Sequence, residues 1–201
     1  MNIQTFIKAM KFSLLAAGKT DVRYYLNGVL FDVADDGVTT VVGTDGSRLS
    51  HLKFTETTGL EPGQYVFARD DMDMIVKALS VKKSDDYEVQ IKASNDNNSF
   101  SIEKLVSSDG ASGKWNGRLL DCTYPDYNRV IPASYYGKAE VVGMDADFVL
   151  DAMKAAKMVG AKPPVVKLAP SDGSTAMRYD VQVDSYLNIE EAFIILMPVR
   201  V

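Results

Sequence analysis

The sequence predicts an α+β fold in which helices lie on one face of largely antiparallel sheets. Three stretches of the chain carry apolar residues at helical spacing, and about three short segments rich in β-branched and aromatic residues follow each stretch. Turn signals containing Gly, Asn and Asp separate these segments. The order of a short strand, a helix and three strands thus occurs three times, which indicates an internal repeat.

The first unit begins with a predicted helix whose apolar stripe comprises Ile3, Phe6, Ile7, Met10, Leu14 and Leu15. Gly18 is the predicted end of this helix. Strands are expected over residues 24–33, 39–43 and 49–54. The dipeptide Asp36-Gly37 between the first two is typical of a tight hairpin.

The second and third units repeat this pattern. In the second, a strand over 64–67 precedes a helix with the stripe Met72, Ile75, Val76 and Leu79, and strands are expected at 87–91, 100–106 and 114–120. In the third, a strand over 139–143 precedes a helix with the stripe Phe148, Val149, Ala152, Met153, Ala156 and Val159, and strands are expected at 165–168, 177–183 and 192–197.

The composition argues against several classes of function. The 201 residues include one cysteine, Cys122, and one histidine, His51, so neither a zinc site nor a catalytic triad or dyad with histidine can be assembled. No Walker or dinucleotide-binding glycine pattern is present. We therefore expect no catalytic residues, no metal and no cofactor, and we expect Cys122 to be a small, partly buried apolar residue.

The chain also lacks the sequence marks of membrane insertion and secretion. No apolar run approaches the roughly 18 residues of a membrane span, and residues 1–17 lack a small-residue cleavage site after an apolar block. The expected location is the cytoplasm, without a membrane partner.

Charge is distributed unevenly along the chain. The formal net charge is +3 over residues 2–20, +1 over residues 69–83 and 0 over residues 144–162. Since the whole chain has a net charge of −5, the remaining residues together carry −9. A surface that is positive on its helices and negative elsewhere could accept a polyanion on one side, although lysines of this kind are also common on ordinary solvated surfaces.

Four sequence blocks carry a resemblance to the DNA sliding clamps, the family of the β subunit of bacterial DNA polymerase III. They are Asp21 to Phe31 (DVRYYLNGVLF), Thr44 to Leu49 (TDGSRL), Tyr124 to Pro132 (YPDYNRVIP) and Met197 to Val201 (MPVRV). Each block alone has an ordinary interpretation as a turn or loop. The four in this order resemble the family's own opening strand, TDGHRL turn, FPDYRRVLP segment and closing MPMRL.

The resemblance implies a DNA-clamp fold of three βαβββ half-modules. Residues 1–134 resemble the family's complete middle domain, and residues 135–201 resemble the second half of its last domain. Family rings contain twelve such halves, whereas this chain supplies three. One hypothesis is therefore a homo-oligomer in which two chains pair through residues 135–201 and rebuild a complete domain.

The same resemblance implies a pocket for short peptide motifs of DNA polymerase and other replication or repair proteins. Its expected residues are Leu26, Thr44, Gly46, Arg48, Leu49, Pro125, Arg129, Val130, Ile195, Met197 and Val199. The apolar members offer binding area, and Arg48 and Arg129 could hold a peptide carbonyl or carboxylate. Ser47 stands where the family usually has His, Asn128 where it commonly has Arg, and Val199 where it has Met, so motif preference is expected to differ.

By analogy with the family, the helices would face double-stranded DNA and hold it without sequence specificity through Lys8, Lys11, Lys77, Lys154 and Lys157. Two hypotheses of function follow. The first is a processivity factor that encircles DNA and tethers a polymerase. The alternative is a clamp-like adaptor or decoy that binds clamp-binding partners without encircling DNA. Nothing in the sequence favours an enzyme.

Overall fold

The structure, a computed structural model, describes residues 1–79, 86–105, 113–132, 142–169 and 176–199. Its helices are α1 (Ile3–Ala16), α2 (Arg69–Ala78) and α3 (Ala146–Val159). Its strands are β1 (Gly28–Val33), β2 (Thr39–Thr44), β3 (Arg48–Phe54), β4 (Gly63–Ala68), β5 (Val89–Ser94), β6 (Ser99–Lys104), β7 (Lys114–Arg118), β8 (Val166–Ala169), β9 (Met177–Val181) and β10 (Ile189–Leu196). The predicted α+β fold with helices against antiparallel sheets is confirmed.

Local sequence signals fix the ends of these elements. The Asn2 side chain accepts a hydrogen bond from the Gln4 N–H and starts α1, and Asp145 caps α3 in the same way. Gly37, with φ of +81°, forms the turn between β1 and β2, where the Asp36 carboxylate accepts from the Val38 N–H. Asp36-Gly37 is therefore the hairpin turn that the sequence predicts.

The strands form two antiparallel sheets. The larger has the order β4-β1-β2-β3-β10-β9-β8, and the smaller has the order β5-β6-β7. The larger sheet therefore joins strands of the first and third units through the pairing of β3 with β10, in which Leu49 faces Ile195 and Leu52 faces Ala192. This junction between the two units is called the seam below.

The first and second units exchange their short opening segments. Strand β4, which opens the second unit, pairs with β1 of the first unit along its whole length. In return, the N-terminal residues of the first unit join the start of β5: the Val89 N–H donates to the Met1 carbonyl at 2.8 Å, and the Ile3 N–H donates to the Tyr87 carbonyl at 3.0 Å. Each unit thus supplies an edge for the other.

Each face of the larger sheet covers a separate apolar cluster. Alternate residues along a strand point to opposite faces, so Phe31 and Ile194 pack under the helices while Leu30, Phe193 and Ile195 pack on the other side. The helices lie in a row with α1 between α2 and α3. Because α1 has a helix on either side, ten of its fourteen residues are buried.

Of three local predictions, one differs from the structure, one agrees with it and one lies mostly outside the described residues. Residues 24–26, expected to begin a strand, form a 3-10 helix (Tyr24–Leu26), and β1 starts only at Gly28. Helix α1 ends at Ala16 with Ala17 as its C-cap, so Gly18 is the residue directly after the cap, which agrees with its predicted place at the end of the helix. The strand expected over 139–143 lies mostly outside the described residues, although Gly143 forms a bridge with Val199.

The described residues contain neither a helix that could span a membrane nor a cluster of metal-binding side chains. None of their helices is long and apolar enough to cross a membrane. They also contain no cluster of three or more His, Cys, Asp or Glu side chains that could hold a metal ion.

Candidate functional site

An open groove lies beside the seam, on the face of the larger sheet that the helices leave uncovered. Its cavity volume is about 260 Å³. Four separate parts of the chain line it: the 3-10 helix at 24–26 with the residues before it, the turn between β2 and β3, the segment 124–130, and the end of β10.

The floor of the groove is apolar. Leu26, Leu49 and Ile195 are almost completely buried, and Leu49 and Ile195 belong to the apolar cluster on this face of the sheet. At the rim, Val130 and Met197 are 44% and 40% exposed, respectively. A buried apolar floor with exposed apolar edges suits a ligand that inserts hydrophobic side chains, and the flexible Met197 side chain can adapt its shape to them.

The turn between β2 and β3 forms one wall and is held by its own side chains. The Asp45 carboxylate accepts from the backbone N–H groups of Ser47 and Arg48, and the Thr44 hydroxyl accepts from the Gly46 N–H at 3.0 Å. Gly46 has φ of +90°, a conformation that L side chains rarely adopt. The shape of the TDGSRL turn therefore depends on the Thr44 and Asp45 side chains and on the glycine.

Arg48 lines the groove, but its guanidinium is already engaged. Its Nε donates to Asp45 Oδ2 and its Nη1 donates to Asp151 Oδ2, both at 2.9 Å, and the guanidinium lies 4.6 Å from the centre of the Phe148 ring. Since Asp151 and Phe148 belong to α3, Arg48 links the first unit to the third. It shapes the wall, and these two bonds leave three of its five N–H donors unused by them.

Arg23 lies against the same turn. Its guanidinium forms a bidentate pair with Asp21, with Nη2 to Oδ2 at 2.7 Å, and it also donates to the Asp45 carbonyl at 3.0 Å. A Cβ atom on Gly46 would lie 2.8 Å from the Arg23 guanidinium nitrogens. Gly46 therefore serves both the positive φ and the close approach of Arg23.

Two tyrosines complete the wall formed by segment 124–130. Tyr127 donates its hydroxyl proton to Asp32 at 2.9 Å, and its pKa is raised by burial and by this carboxylate. Tyr124 is buried in the floor, which raises the pKa of its hydroxyl. That hydroxyl lies near the Thr44 backbone but makes no hydrogen bond of good geometry within the described residues.

The structure brings together nine of the eleven residues predicted for the pocket: Leu26, Thr44, Gly46, Arg48, Leu49, Pro125, Val130, Ile195 and Met197. The other two lie outside the lining. Arg129 is 84% exposed and directs its Nε toward Asp126 at 3.5 Å. Val199 pairs with Gly143.

Sequence reasoning missed six lining residues: Arg23, Tyr25, Ser47, Tyr124, Asp126 and Tyr127. All six lie within the blocks that carried the resemblance. Their proximity to predicted residues was a usable signal, since a turn of a few residues presents several neighbouring side chains to one side.

The five lysines predicted to face DNA are distributed over all three helices. Two are in α1, one is in α2 and two are in α3. Lys11 and Lys157 are exposed. Lys77 pairs with Asp73 at 2.6 Å and Lys154 with Asp151 at 3.0 Å, and Lys8 lies over the Tyr186 ring. Nearby carboxylates thus offset part of the positive charge that the sequence suggested for these helices.

The single histidine and the single cysteine both lie near the groove. His51 is buried in β3 and stacks on Phe193 of β10, with the ring centres 4.3 Å apart. Burial and the nearby charges of Arg178 and Lys53 lower its pKa to about 4. Cys122 is partly buried beside the second apolar cluster, as expected for a small apolar residue.

Comparisons with known proteins agree with this geometry. The family model for the DNA polymerase III beta subunit, central domain, matches residues 1–126. The beta sliding clamp of Buchnera aphidicola is 29% identical over 129 residues, which cover 64% of this chain and 31% of that protein. The matched segment thus spans about a third of the length of this curated relative.

Solved structures match over nearly the whole chain. The Helicobacter pylori beta clamp in complex with carprofen has a TM-score of 0.74 at 17% identity and covers 98% of this chain and 64% of that one. The same clamp bound to a DNA ligase peptide has a TM-score of 0.72 at 17% identity, covering 97% of this chain and 63% of that one. At these identities the likeness establishes a shared fold.

Proposed function

We propose, on the premise that this chain belongs to the DNA polymerase III beta subunit family, that its groove captures short peptide segments of DNA-handling proteins. The sliding clamps of this family are not enzymes. The observation that carries the proposal is the convergence of four distant chain segments into one open apolar groove. A peptide fits such a groove because its hydrophobic side chains can fill the floor.

The groove offers polar contacts of two kinds. The exposed Ser47 hydroxyl lies in the lining and can bond to a polar group of the peptide. Arg23 is 48% exposed at the rim, and its Nη1 group takes no part in the bonds to Asp21 and to the Asp45 carbonyl, so it can donate to a peptide carbonyl. The Helicobacter pylori clamp bound to a DNA ligase peptide is a precedent within the shared fold for this class of ligand.

Two variants in the C-terminal tail test the groove directly. Met197 lines it and Val199 does not, although the two side chains are 40% and 46% exposed and only two residues apart. In a fluorescence anisotropy titration with a labelled clamp-binding peptide, Met197→Ala should weaken binding about tenfold, because the truncation removes apolar contact area at the rim. Val199→Ala should leave affinity within about twofold of the wild type.

If the wild-type chain shows no saturable binding of such peptides, or if Val199→Ala weakens binding as much as Met197→Ala, the groove is not the binding site. Circular dichroism of both variants must match the wild type, so that loss of folding is excluded as a cause.

We also propose that the helix row contacts double-stranded DNA. The helix row lies on the opposite face of the larger sheet from the groove, so a duplex along the helices and a peptide in the groove would not compete for the same surface. Lys11 and Lys157 are exposed candidates for phosphate contacts, and Lys77 and Lys154 are exposed too but pair with carboxylates. A processivity factor that encircles DNA would be retained on nicked circular DNA and lost on linearisation.

The second candidate function is an adaptor that binds peptides without encircling DNA. The pairing of Lys77 with Asp73 and of Lys154 with Asp151 favours it, because it reduces the positive charge available to phosphates. Peptide binding without topological retention on circular DNA would select this candidate. For either function, we propose that the chain divides into a complete clamp domain over residues 1–134 and a half domain over residues 135–201.

A further inference from the structure

Two of the nine methionines are exposed, and one of these two lies in the groove. Met197 at the rim is 40% exposed, and Met74 on α2 is 59% exposed. The other seven are buried or half-buried: Met1, Met10, Met72, Met144, Met153, Met158 and Met177. Because a dissolved oxidant must reach the sulfur before it can react, Met74 and Met197 are the methionines most open to oxidation.

The backbone holds Met197 in its place at the rim. The Met197 N–H donates to the Ser47 carbonyl at 2.9 Å, which ties the residue after β10 to the turn between β2 and β3. Its side chain lines the groove above the almost completely buried Leu49 and Ile195. On the function proposed above, a hydrophobic side chain of a bound peptide would cover it.

We propose that Met197 is a modification site for hydrogen peroxide and related two-electron oxidants, and that its sulfoxide lowers the affinity of the groove for peptides. This inference rests on the proposed function of the groove. A lone pair of the Met197 sulfur attacks one peroxide oxygen, so an S–O bond forms and the O–O bond breaks. The departing hydroxide takes the proton from the transferred oxygen and leaves as water. The sulfur is thereby oxidised by two electrons, and the peroxide is reduced by two.

Oxidation changes the rim from apolar to polar. The sulfoxide oxygen is a hydrogen-bond acceptor that water satisfies in the free protein, and a hydrophobic peptide side chain packed on it would displace that water without replacing the bond. The floor beneath is formed by Leu26, Leu49 and Ile195, which offer apolar surface. Methionine sulfoxide reductases reverse this oxidation, so the loss of affinity is a reversible response to oxidant.

The single thiol of the chain is a poorer target for peroxide. Cys122 packs against the apolar cluster on the groove side of the sheet but does not line the groove. It is partly buried, and burial together with the nearby Asp121 raises the pKa of its thiol. Since the thiolate is the reactive form, this thiol reacts slowly at neutral pH. Met197 is therefore the sulfur through which an oxidant acts on the lining.

Peroxide treatment followed by a peptide titration tests the inference. The probe is a labelled clamp-binding peptide without Met or Cys, and mass spectrometry of protein fragments measures the sulfoxide at each methionine. Once Met197 is fully oxidised, the dissociation constant of the wild type should rise about tenfold. Methionine sulfoxide reductases should restore it. Dithiothreitol alone should not, because it reverses a sulfenic acid or a disulfide at Cys122 but leaves a sulfoxide intact.

Met74→Leu and Met197→Leu are the matched variants. Met74→Leu removes the other exposed thioether and should respond to peroxide as the wild type does. In Met197→Leu the rim stays apolar and cannot form a sulfoxide, so its own dissociation constant should change by less than about twofold on treatment. Saturating peptide should slow the oxidation of Met197 in the wild type and leave that of Met74 unchanged, because the peptide covers only the groove.

The outcomes separate this inference from the function on which it rests. If untreated protein shows no saturable peptide binding, the proposed function falls and the inference falls with it. If untreated protein binds and full oxidation of Met197 leaves its affinity unchanged, the inference alone is overturned. An equal loss of affinity in treated Met197→Leu also overturns it, as does a treated wild type that loses its circular dichroism spectrum, since unfolding would then be the cause.

Discussion

The first and third units share one pattern of elements and differ in how completely they are enclosed. Helix α1 buries ten of fourteen residues, whereas α3 of the same length buries four. Both helices lie on the same sheet and both have amphipathic sequences. The difference teaches that the burial of a repeated element depends on its neighbours as much as on its own sequence: α1 has a helix on both sides, and α3 has one.

The largest contrast is expected from truncating one apolar side chain in each helix. Phe6 in α1 is completely buried, and Leu150 in α3 is 52% exposed. Phe6→Ala should lower the free energy of unfolding by about 3–5 kcal/mol because it leaves a cavity, whereas Leu150→Ala should change it by no more than about 0.5 kcal/mol. Urea denaturation of dilute protein measures both, and similar losses would contradict the comparison.

The seam between the two units should respond to pH through His51. Its folded pKa of about 4 lies below its unfolded value, so the unfolded chain binds the proton more readily. The contribution of His51 to stability is therefore complete above about pH 6.5 and is lost as pH falls toward 4, by up to about 3 kcal/mol.

The control for this prediction is His51→Phe, which keeps an aromatic ring against Phe193 but cannot be protonated. The free energy of unfolding of the wild type, minus that of the variant, should fall between pH 6.5 and 4. Parallel curves for the two proteins would show that His51 does not titrate at the seam.

Close packing of α1 on the sheet depends on a glycine. A Cβ atom on Gly43 of β2 would overlap the carbonyl oxygen of Ser13 in α1. Helix α3 instead approaches the core with small residues of its own, including Ala155 and Ala156. Gly43→Ala should therefore lower the free energy of unfolding by about 2 kcal/mol. Urea denaturation measures this loss, and a neutral or stabilising effect would mean that α1 can move away without cost.

The smallest expected effect concerns the link between the two units. Burial raises the pKa of Asp151, but hydrogen bonds from Arg48 and Lys154 outweigh it, so the folded pKa is lowered. Asp151→Asn should lower the free energy of unfolding by about 1 kcal/mol at pH 7. Because the folded pKa is depressed, this difference should be present above about pH 4 and should vanish as pH falls further.

A matched variant separates this link from general surface charge. Asp73 also pairs with a lysine, Lys77, but contacts no residue of another unit in the described ion pairs. Asp73→Asn should cost no more than about 0.5 kcal/mol. If the two variants lose the same free energy of unfolding in urea at pH 7, the contact between Asp151 and Arg48 contributes no more to stability than a surface ion pair.

The fold could be predicted from the sequence because its signals are local. Helical spacing, the Asp36-Gly37 turn and the alternation in β5 each act within a few residues. The pairing of β3 with β10 could not be predicted in this way, since more than 130 residues separate Leu49 from Ile195. Nor does periodicity reveal that residues 24–26 turn back as a 3-10 helix to bring Leu26 to the groove.

The candidate site, too, could be predicted from the sequence only in part. Its apolar members could be named because they lie in blocks that resemble a known family, and nine of the eleven line one groove. Their polar contacts could not, because the partner of Arg48 is on a distant helix and Asp151 carries no mark of that role in the sequence. Side-chain partners of this kind are set by tertiary packing.

The dependence of the groove on β10 has a consequence for the newly made chain. Ile195 and Met197, which form part of its floor and rim, belong to the third unit and are synthesised after the first two units. A ribosome-bound chain that lacks them has an incomplete recognition surface, however well its first two units have folded. On the proposal that the groove binds peptides, a chain could bind them only after translation has passed this strand.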